Sequence, residues 1–403
     1  VFNTSPEKAM SIPLLIALLA NAQPTGFGPV FGMQEIDRGL GVGYAVLAVD
    51  LNGDGKKDLV VADKQRIIAY TNPGWGRRVL LEGVTAPDNV CIAARDIDAD
   101  GRIDLVVGAG WKPFDTQKGG SLQWLRQPAQ ENGPWTVHPI SSEPTLHRIR
   151  FARTGPNGEE ELVVIPLMGR ESSAKANWMD GSPVRVLAFS IPKDPVNQQW
   201  PVRVLDQSLH VAHNFDVVKS GAGHDLAIVS YEGLSLLSRN GSGWKRELLH
   251  PGNQDTPKSN RGASEVRLGA LAGGEQMYAT VEPWHGHELV VSRRVDGIWK
   301  RQVLDKRLKW GHAIACADLD GDGSDELVFG VRDNLSAQNG EKCGVRIFRW
   351  DVTRKDWTRH LVDEGGVAVE DLVAADLDGD GRTDLVAAGR ATGNVRIYWN
   401  RGR

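Results

Sequence analysis

The sequence predicts an all-β chain: a seven-bladed β-propeller of four-stranded antiparallel blades, closed by pairing of its N- and C-terminal segments. Three observations predict it. A glycine-rich acidic loop recurs between short apolar strands. The strand-turn-strand pattern around that loop repeats at a roughly fixed spacing, the signature of a repeat architecture. The last repeat lacks its final strand, and an unassigned strand of the missing kind stands near the N-terminus.

The acidic loop occurs as "DLNGDGKKDLVVAD" from Asp50, "DIDADGRIDLVVGA" from Asp96, "DLDGDGSDELVFGV" from Asp318 and "DLDGDGRTDLVAAG" from Asp376. The interval from Asp96 to Asp318 has room for three more units, and the strand pattern supplies them. They start near Leu146 ("LHRIRFARTGPNGEEELVVIPL"), at His213 ("HNFDVVKSGAGHDLAIVS") and at Ser264 ("SEVRLGALAGGEQMYATVEP"). These three keep the layout and lose most of the acid. Six of the seven units end on an alternating outer strand introduced by tryptophan, as in "WTVHPISS" or "WKRQVLDKR". The seventh stops at "VRIYWNRGR", and "FGMQEIDRG" from Phe31 supplies its outer strand. Closing the ring this way leaves no open sheet edge. The propeller is expected over residues 26–403.

Residues 1–25 are expected to form a leader. "MSIPLLIALLANAQ" from Met10 has a short apolar run and an A-x-A pattern ending at Ala22, which points to export to the periplasm or beyond the cell. The positive segment before it is poor, with only Lys8 nearby. No apolar run reaches the roughly 18 residues of a membrane helix. A formal charge of −4 provides no broad basic face for nucleic acid. Cys91, Cys316 and Cys343 do not make a disulfide framework. Nothing in the sequence indicates an oligomeric state.

Each acidic loop places oxygens at positions 1, 3, 5 and 9, with glycines that permit a tight turn. A hard cation such as calcium takes six to eight oxygen ligands of this kind. The candidates are Asp50, Asn52, Asp54 and Asp58; Asp96, Asp98, Asp100 and Asp104; Asp318, Asp320, Asp322 and Glu326; and Asp376, Asp378, Asp380 and Asp384. No helix pattern follows, so these are not EF-hands. The loops read as calcium staples for the hairpins rather than as regulatory sites, because three units form without them.

A second pattern lies at the heads of the innermost strands. His312 stands six residues before Asp318. The same offset gives Tyr44 in the first unit, Val90 beside Asn89 in the second and Glu370 in the seventh. Strand alignment gives His147, His213 and Glu265 in the degenerate units. The heads lie on the face where the loops between second and third strands open, opposite the acidic loops. Several of those loops are long, and one, "VEPWHGHE", carries His285 and His287. Converging imidazoles and carboxylates at a propeller mouth can hold a transition metal such as zinc or manganese, or act as general acid and base. The metal-ligand candidates are His147, His213, His285 and His312. Glu265, Glu370 and His287 are acid/base candidates, and Tyr44, Lys112 and Arg170 are candidates for binding substrate. A solvated polar channel lining is the plainer alternative.

The acidic loops resemble the FG-GAP and VCBS repeats of integrin-type and secreted bacterial propellers, a likeness covering Phe31 to the C-terminus and informative about fold. "TLHRIRFA", "LHVAHNFDVV", "VEPWHGHELVVS" and "HAIACADLDGDGSDE" are similar to the propeller of the fungal aldos-2-ulose dehydratases. That resemblance implies removal of water from 1,5-anhydrofructose or related keto-sugars, with bound metal ions. It places His147, His213, His285 and His312 at the family's propeller mouth. The family also has C-terminal cupin-like domains without counterpart in these 403 residues, which leaves the sugar open. The expected function is metal-assisted β-elimination on a keto-sugar, an anhydro-sugar or an oxidised glycoside. The alternatives are a polysaccharide lyase acting on uronic acids and a non-catalytic propeller that binds glycan or protein.

Overall fold

Seven sheets of four strands form a ring of antiparallel blades, six of them hydrogen-bonded in sequence order and the seventh completed by the first strand of the chain. The structure, a computed structural model, describes residues 29–130, 132–333 and 341–402. The expected leader, residues 1–25, lies outside the described residues. The innermost strands are Ala45–Val49, Cys91–Arg95, Leu146–Ala152, Asn214–Ser220, Glu265–Leu271, Gly311–Ala317 and Val369–Ala375, in blades 1 to 7. One turn of 3-10 helix, Ala174–Ala176, is the only helical element among the described residues. No helix among them is long and apolar enough to cross a membrane.

Burial explains the strand sequences. Two of the second strands, Asp58–Ala62 ("DLVVA") and Glu326–Val331 ("ELVFGV"), are buried along their whole length, and after the leading acid they read as apolar runs. The outer strands, such as Gly243–His250, are half exposed and alternate. Side chains of neighbouring blades interlock between the sheets. Leu59 and Tyr70 of blade 1 pack with Val386 and Ile397 of blade 7, and Trp124 of blade 2 packs with Leu146 and Leu162 of blade 3.

The seventh blade closes as expected. Phe31–Asp37 pairs antiparallel with Val395–Asn400 and completes the sheet begun by Val369–Ala375. Glu35 clamps this seam by accepting hydrogen bonds from Arg396 Nε and Asn394 Nδ2, each at 2.8 Å.

The inner edge of every blade faces the channel, where backbone N–H groups have no further strand to pair with. Carboxylates of neighbouring blades supply some of the acceptors. Val46 N donates to Asp371 Oδ2 at 2.9 Å, and Leu268 N donates to Asp216 Oδ2 at 2.9 Å. These bonds tie inner strand to inner strand around the ring.

Candidate functional site

Bulges aim the strand heads into the mouth. In blades 3, 6 and 7 the ladder skips one residue at the head of the inner strand: Leu146 pairs with Pro166 and Arg148 with Ile165, and the same slip occurs between Gly311 and Ala313 and between Val369 and Asp371. The skipped residues are His147, His312 and Glu370. A bulge leaves one residue unpaired and re-aims its side chain. Gly311 makes room for the one at His312, since a Cβ there would lie 2.3 Å from Phe329 Cζ. His213 and Tyr44 reach the same level just before their strands begin, with His213 N bonded to Val229 O and Tyr44 N to Ala62 O.

His285 arrives from the loop between the second and third strands of blade 5. Its backbone is left-handed (φ 49°), a conformation a non-glycine residue rarely adopts. The loop docks on blade 6 through Gly311 N, which donates to Gly286 O at 3.0 Å. Trp284 stacks on the His285 ring at a centroid distance of 4.1 Å.

The imidazoles meet. His285 Nε2 lies 2.7 Å from His213 Nε2, and ligand atoms of His213, His285 and His312 all fall within 4.8 Å of one another. His147 adjoins this trio without entering it, its ring centroid 4.6 Å from that of His213. Three of the rings are fixed by a shared device. His147 Nδ1 donates to His213 O at 2.9 Å, His213 Nδ1 to Ser264 O at 2.9 Å, and His312 Nδ1 to Glu370 O at 2.7 Å. Each head histidine thus bonds the backbone at the head of the next blade. A carbonyl can only accept, so the proton sits on Nδ1 and Nε2 keeps its lone pair. Burial drives the pKa values of His147, His213, His285 and His312 well below the usual imidazole value, with Arg148 and Arg332 among the further causes. The rings are therefore neutral, and in the contact between His213 and His285 the proton lies on His285 Nε2.

The carboxylates stand behind the rings. Glu265 Oε1 is 2.9 Å from His213 Nδ1, but the N–H is directed at Ser264 O, so the carboxylate is an ion-pair neighbour. Arg148 lies 3.7 Å from the same oxygen. The Glu370 carboxylate is 3.9 Å from His312 Nδ1 and receives Arg390 Nη1 at 2.6 Å. Burial raises both glutamate pKa values, and the arginines oppose the rise. The backbone carbonyl of Glu370, rather than its carboxylate, orients His312.

The remaining sequence candidates divide. Tyr44 is buried, donates from its hydroxyl to Asp88 at 2.7 Å and lies under the Arg390 guanidinium. His287 is exposed and shares with His285 a depression of about 560 Å³ lined also by Trp284, Lys306, Lys309 and Trp310. Arg170 is engaged by Glu143 at 2.7 Å in a different depression with Lys118 and Gly119, and Lys112 is exposed in the neighbouring loop; the structure gives neither a contact with the imidazoles. The second-to-third strand loop of blade 6 lies partly outside the described residues. Sequence reasoning missed Arg148, Arg332 and Arg390, which neutralise the glutamates, and Trp310, which edges the His285 depression. Only the adjacency of Arg148 to His147 offered a hint.

The four acidic loops lie at the other end of the blades. Carboxylate oxygens cluster within 4.8 Å in three: Asp96, Asp98 and Asp104; Asp318, Asp320 and Glu326; Asp376, Asp378 and Asp384. In the first loop Asn52 holds the third position, and Asp50 accepts from Gly53 N at 2.7 Å and Gly55 N at 2.9 Å. The ninth-position residue also ties the hairpin, as where Leu319 N donates to Glu326 at 2.8 Å. Asp98 Oδ1 and Glu326 Oε1 are buried without a hydrogen-bond partner, which fits an all-oxygen set made for a hard cation.

Fold and loops define the class: this is a seven-bladed β-propeller with acidic loops in four blades and a histidine cluster at one mouth. The FG-GAP-like repeat family matches residues 50–107 and 318–387. Between them the particular likeness is to aldos-2-ulose dehydratase, whose beta-propeller domain family matches residues 119–295. The aldos-2-ulose dehydratase of Phanerodontia chrysosporium is 24% identical over 236 residues, covering 53% of this chain and 26% of the relative. The matched segment thus spans about a quarter of that relative's length. Among solved structures, a chain in the BBS1N complex with ARL6DN soaked with lead aligns with a TM-score of 0.56 at 13% identity, covering 93% of this chain and 97% of its own. A mercury-soaked form gives 0.54 at 14% identity, covering 92% and 97%. At such identities these structures speak for the fold alone.

Proposed function

We propose that the histidine mouth is the active site of a carbohydrate lyase of the dehydratase type, acting on a keto-sugar, an anhydro-sugar or an oxidised glycoside. One observation carries the reading: neutral imidazoles, oriented through Nδ1 by backbone carbonyls, crowd together beside a tryptophan-walled depression. The likeness to aldos-2-ulose dehydratase supports it and supplies the substrate class.

His213, His285 and His312 are the residues that would hold a divalent transition metal such as zinc or manganese. Their ring nitrogens lie within 4.8 Å of one another, and imidazole is the donor such ions favour. Such a metal, when bound, polarises a carbonyl and so acidifies the C–H beside it. The chain's own residues do the rest. Trp310 and the rim of the depression hold the sugar ring, since aromatic faces suit the apolar faces of sugars. His147, with Nδ1 donating and Nε2 free, stands beside the trio as the group to take the proton. His287, exposed in the same depression, would donate a proton to the departing hydroxyl. The C–H bond and the C–O bond break, a C=C bond forms, and water leaves. Lys306 and Lys309 on the same rim favour a second reading, a uronate substrate whose carboxylate they would neutralise.

The acidic loops serve in this reading as calcium staples, and the leader directs the protein out of the cytoplasm. The test is ultraviolet absorbance of the unsaturated product during incubation with keto-sugars and with oxidised or uronate oligosaccharides. Activity should depend on added zinc or manganese and vanish in His312→Ala. Absence of product from every sugar with metal-loaded protein would leave a binding module.

A further inference from the structure

Below the histidine layer the channel opens into a cavity of about 420 Å³ that none of the four histidines lines. Its walls carry three arginines, Arg148, Arg150 and Arg267, and one carboxylate, Asp371. The carboxylate is occupied, accepting from Val46 N at 2.9 Å. The guanidiniums are only partly engaged. Arg148 is only 7% exposed, its Nε has no hydrogen-bond partner, and its nearest counter-charge is Glu265 at 3.7 Å. Arg150 spends one donor on Asn214 Oδ1 at 2.9 Å and lies over the Phe215 ring. Arg267 spends one on the carbonyl of Val266 at 2.7 Å.

A guanidinium offers five N–H donors, and buried donors normally find acceptors. Here three such groups share one concavity, and the carboxylates that act on Arg150, Asp216 and Asp371, each also serve a backbone N–H. Like charges held together cost energy unless a counter-charge joins them. Burial and the nearby Arg267 push the Arg150 pKa down to about 9, against the opposing pull of Asp216. The planar fork of a guanidinium matches the oxygens of a carboxylate, sulfate or phosphate.

We infer that this cavity is a binding site for a small oxyanion, held by Arg148, Arg150 and Arg267. The site is separate from the sugar depression and opens from the channel beneath the histidines. It does not depend on the lyase reading. Arg148 links the two, since it lies between the anion cavity and the Glu265 carboxylate behind His213. An anion there would draw the Arg148 charge away from Glu265.

The experiment compares thermal unfolding in sodium sulfate, sodium phosphate and sodium malonate with sodium chloride at matched ionic strength. The oxyanions should raise Tm saturably, and which one saturates first separates an inorganic ligand from an organic acid. In Arg150→Gln/Arg267→Gln the concentration needed should rise about 10-fold or more, the loss expected from removing hydrogen bonds to charged groups. Equal dependence in both proteins, or a rise reproduced by chloride, would overturn the inference. A crystal of the unaltered protein soaked in selenate decides the matter even if the variant does not fold. An anomalous peak among the three arginines supports the site, and a channel without one refutes it.

Discussion

Glu35→Ala tests whether the ring is held shut where its two chain ends meet. The Glu35 side chain is 12% exposed and its Oε2 accepts from Arg396 Nε and Asn394 Nδ2, both at 2.8 Å. Its other oxygen meets Arg38, but that arginine is 79% exposed and contributes little. Removing the carboxylate deletes two hydrogen bonds, one to a charged donor, and such bonds contribute about 1–3 kcal/mol each. Neither donor group is stranded. Arg396 keeps Asp363 at 2.8 Å, and Asn394 keeps Gly366 O at 2.9 Å. The expected cost is therefore about 2–4 kcal/mol rather than the larger penalty of an orphaned buried charge. With an unfolding entropy of about 2 cal/mol/K per residue, a ring of this size has a melting entropy of roughly 0.8 kcal/mol/K, so Tm should fall by about 3–5 °C. Differential scanning calorimetry measures the shift, and light scattering should show aggregation beginning earlier, because an opened seam exposes the edge of Val395–Asn400. Glu35→Gln, which can still accept from both donors, should recover part of the loss. An unchanged Tm with no added scattering would mean that the Phe31–Asp37 strand closes the ring without help from this clamp.

Glu265→Gln keeps the Asn214 contact but removes the charge behind His213; zinc affinity, read by competition with a chromogenic chelator, should fall about 10- to 100-fold while the fold persists, and equal affinity would exclude Glu265 from tuning the cluster. Calcium should raise Tm and a chelator reverse the rise, with a smaller calcium response in Asp378→Ala and little change in activity at permissive temperature; lost activity in the folded variant would show that the loops reach the mouth. The His250 imidazole, buried and pushed down to about 4 with Arg301 nearby, binds its proton less readily folded than unfolded. Its contribution is complete above the unfolded value near 6.5 and is lost as pH falls through 4, on the order of 3 kcal/mol. His250→Gln should unfold less steeply with acid across that window, and parallel acid curves would refute the assignment.

The fold was legible because a propeller repeats its register. The acidic loop fixes the distance from inner strand to second strand, and six residues before Asp318 marks the same height in blades 1, 6 and 7. That one offset led to Tyr44, His312 and Glu370, and strand alignment carried it to His147 and His213. The incomplete seventh repeat announced the role of Phe31–Asp37. Bulges were not legible, since an unpaired residue at a strand head looks in sequence like an ordinary strand residue. His285 was found because it interrupts a loop on the mouth side, yet nothing in "EPWHGH" reveals that Gly286 docks on Gly311 and delivers the ring to His213.

What stayed hidden has a common cause. The groups that orient the imidazoles are backbone carbonyls at the head of the next blade, and a carbonyl has no residue type. His147 relies on the backbone of His213, His213 on that of Ser264, and His312 on that of Glu370. A glutamate can orient an imidazole with its carboxylate, yet at His312 the chain uses the main chain of Glu370 instead. This arrangement couples the site to the ring itself. The orientation of each ring depends on the spacing between two blades, so a change that shifts one blade, at the Glu35 seam or at an acidic loop, reaches the mouth through the backbone without touching a histidine. The two bonds that cross from blade 3 to blade 4 and from blade 4 to blade 5 meet at His213, which donates to one neighbour from its ring and accepts from the other at its carbonyl. His213 is therefore the member whose position is fixed from both sides, and it is the ring that His285 and His147 both approach.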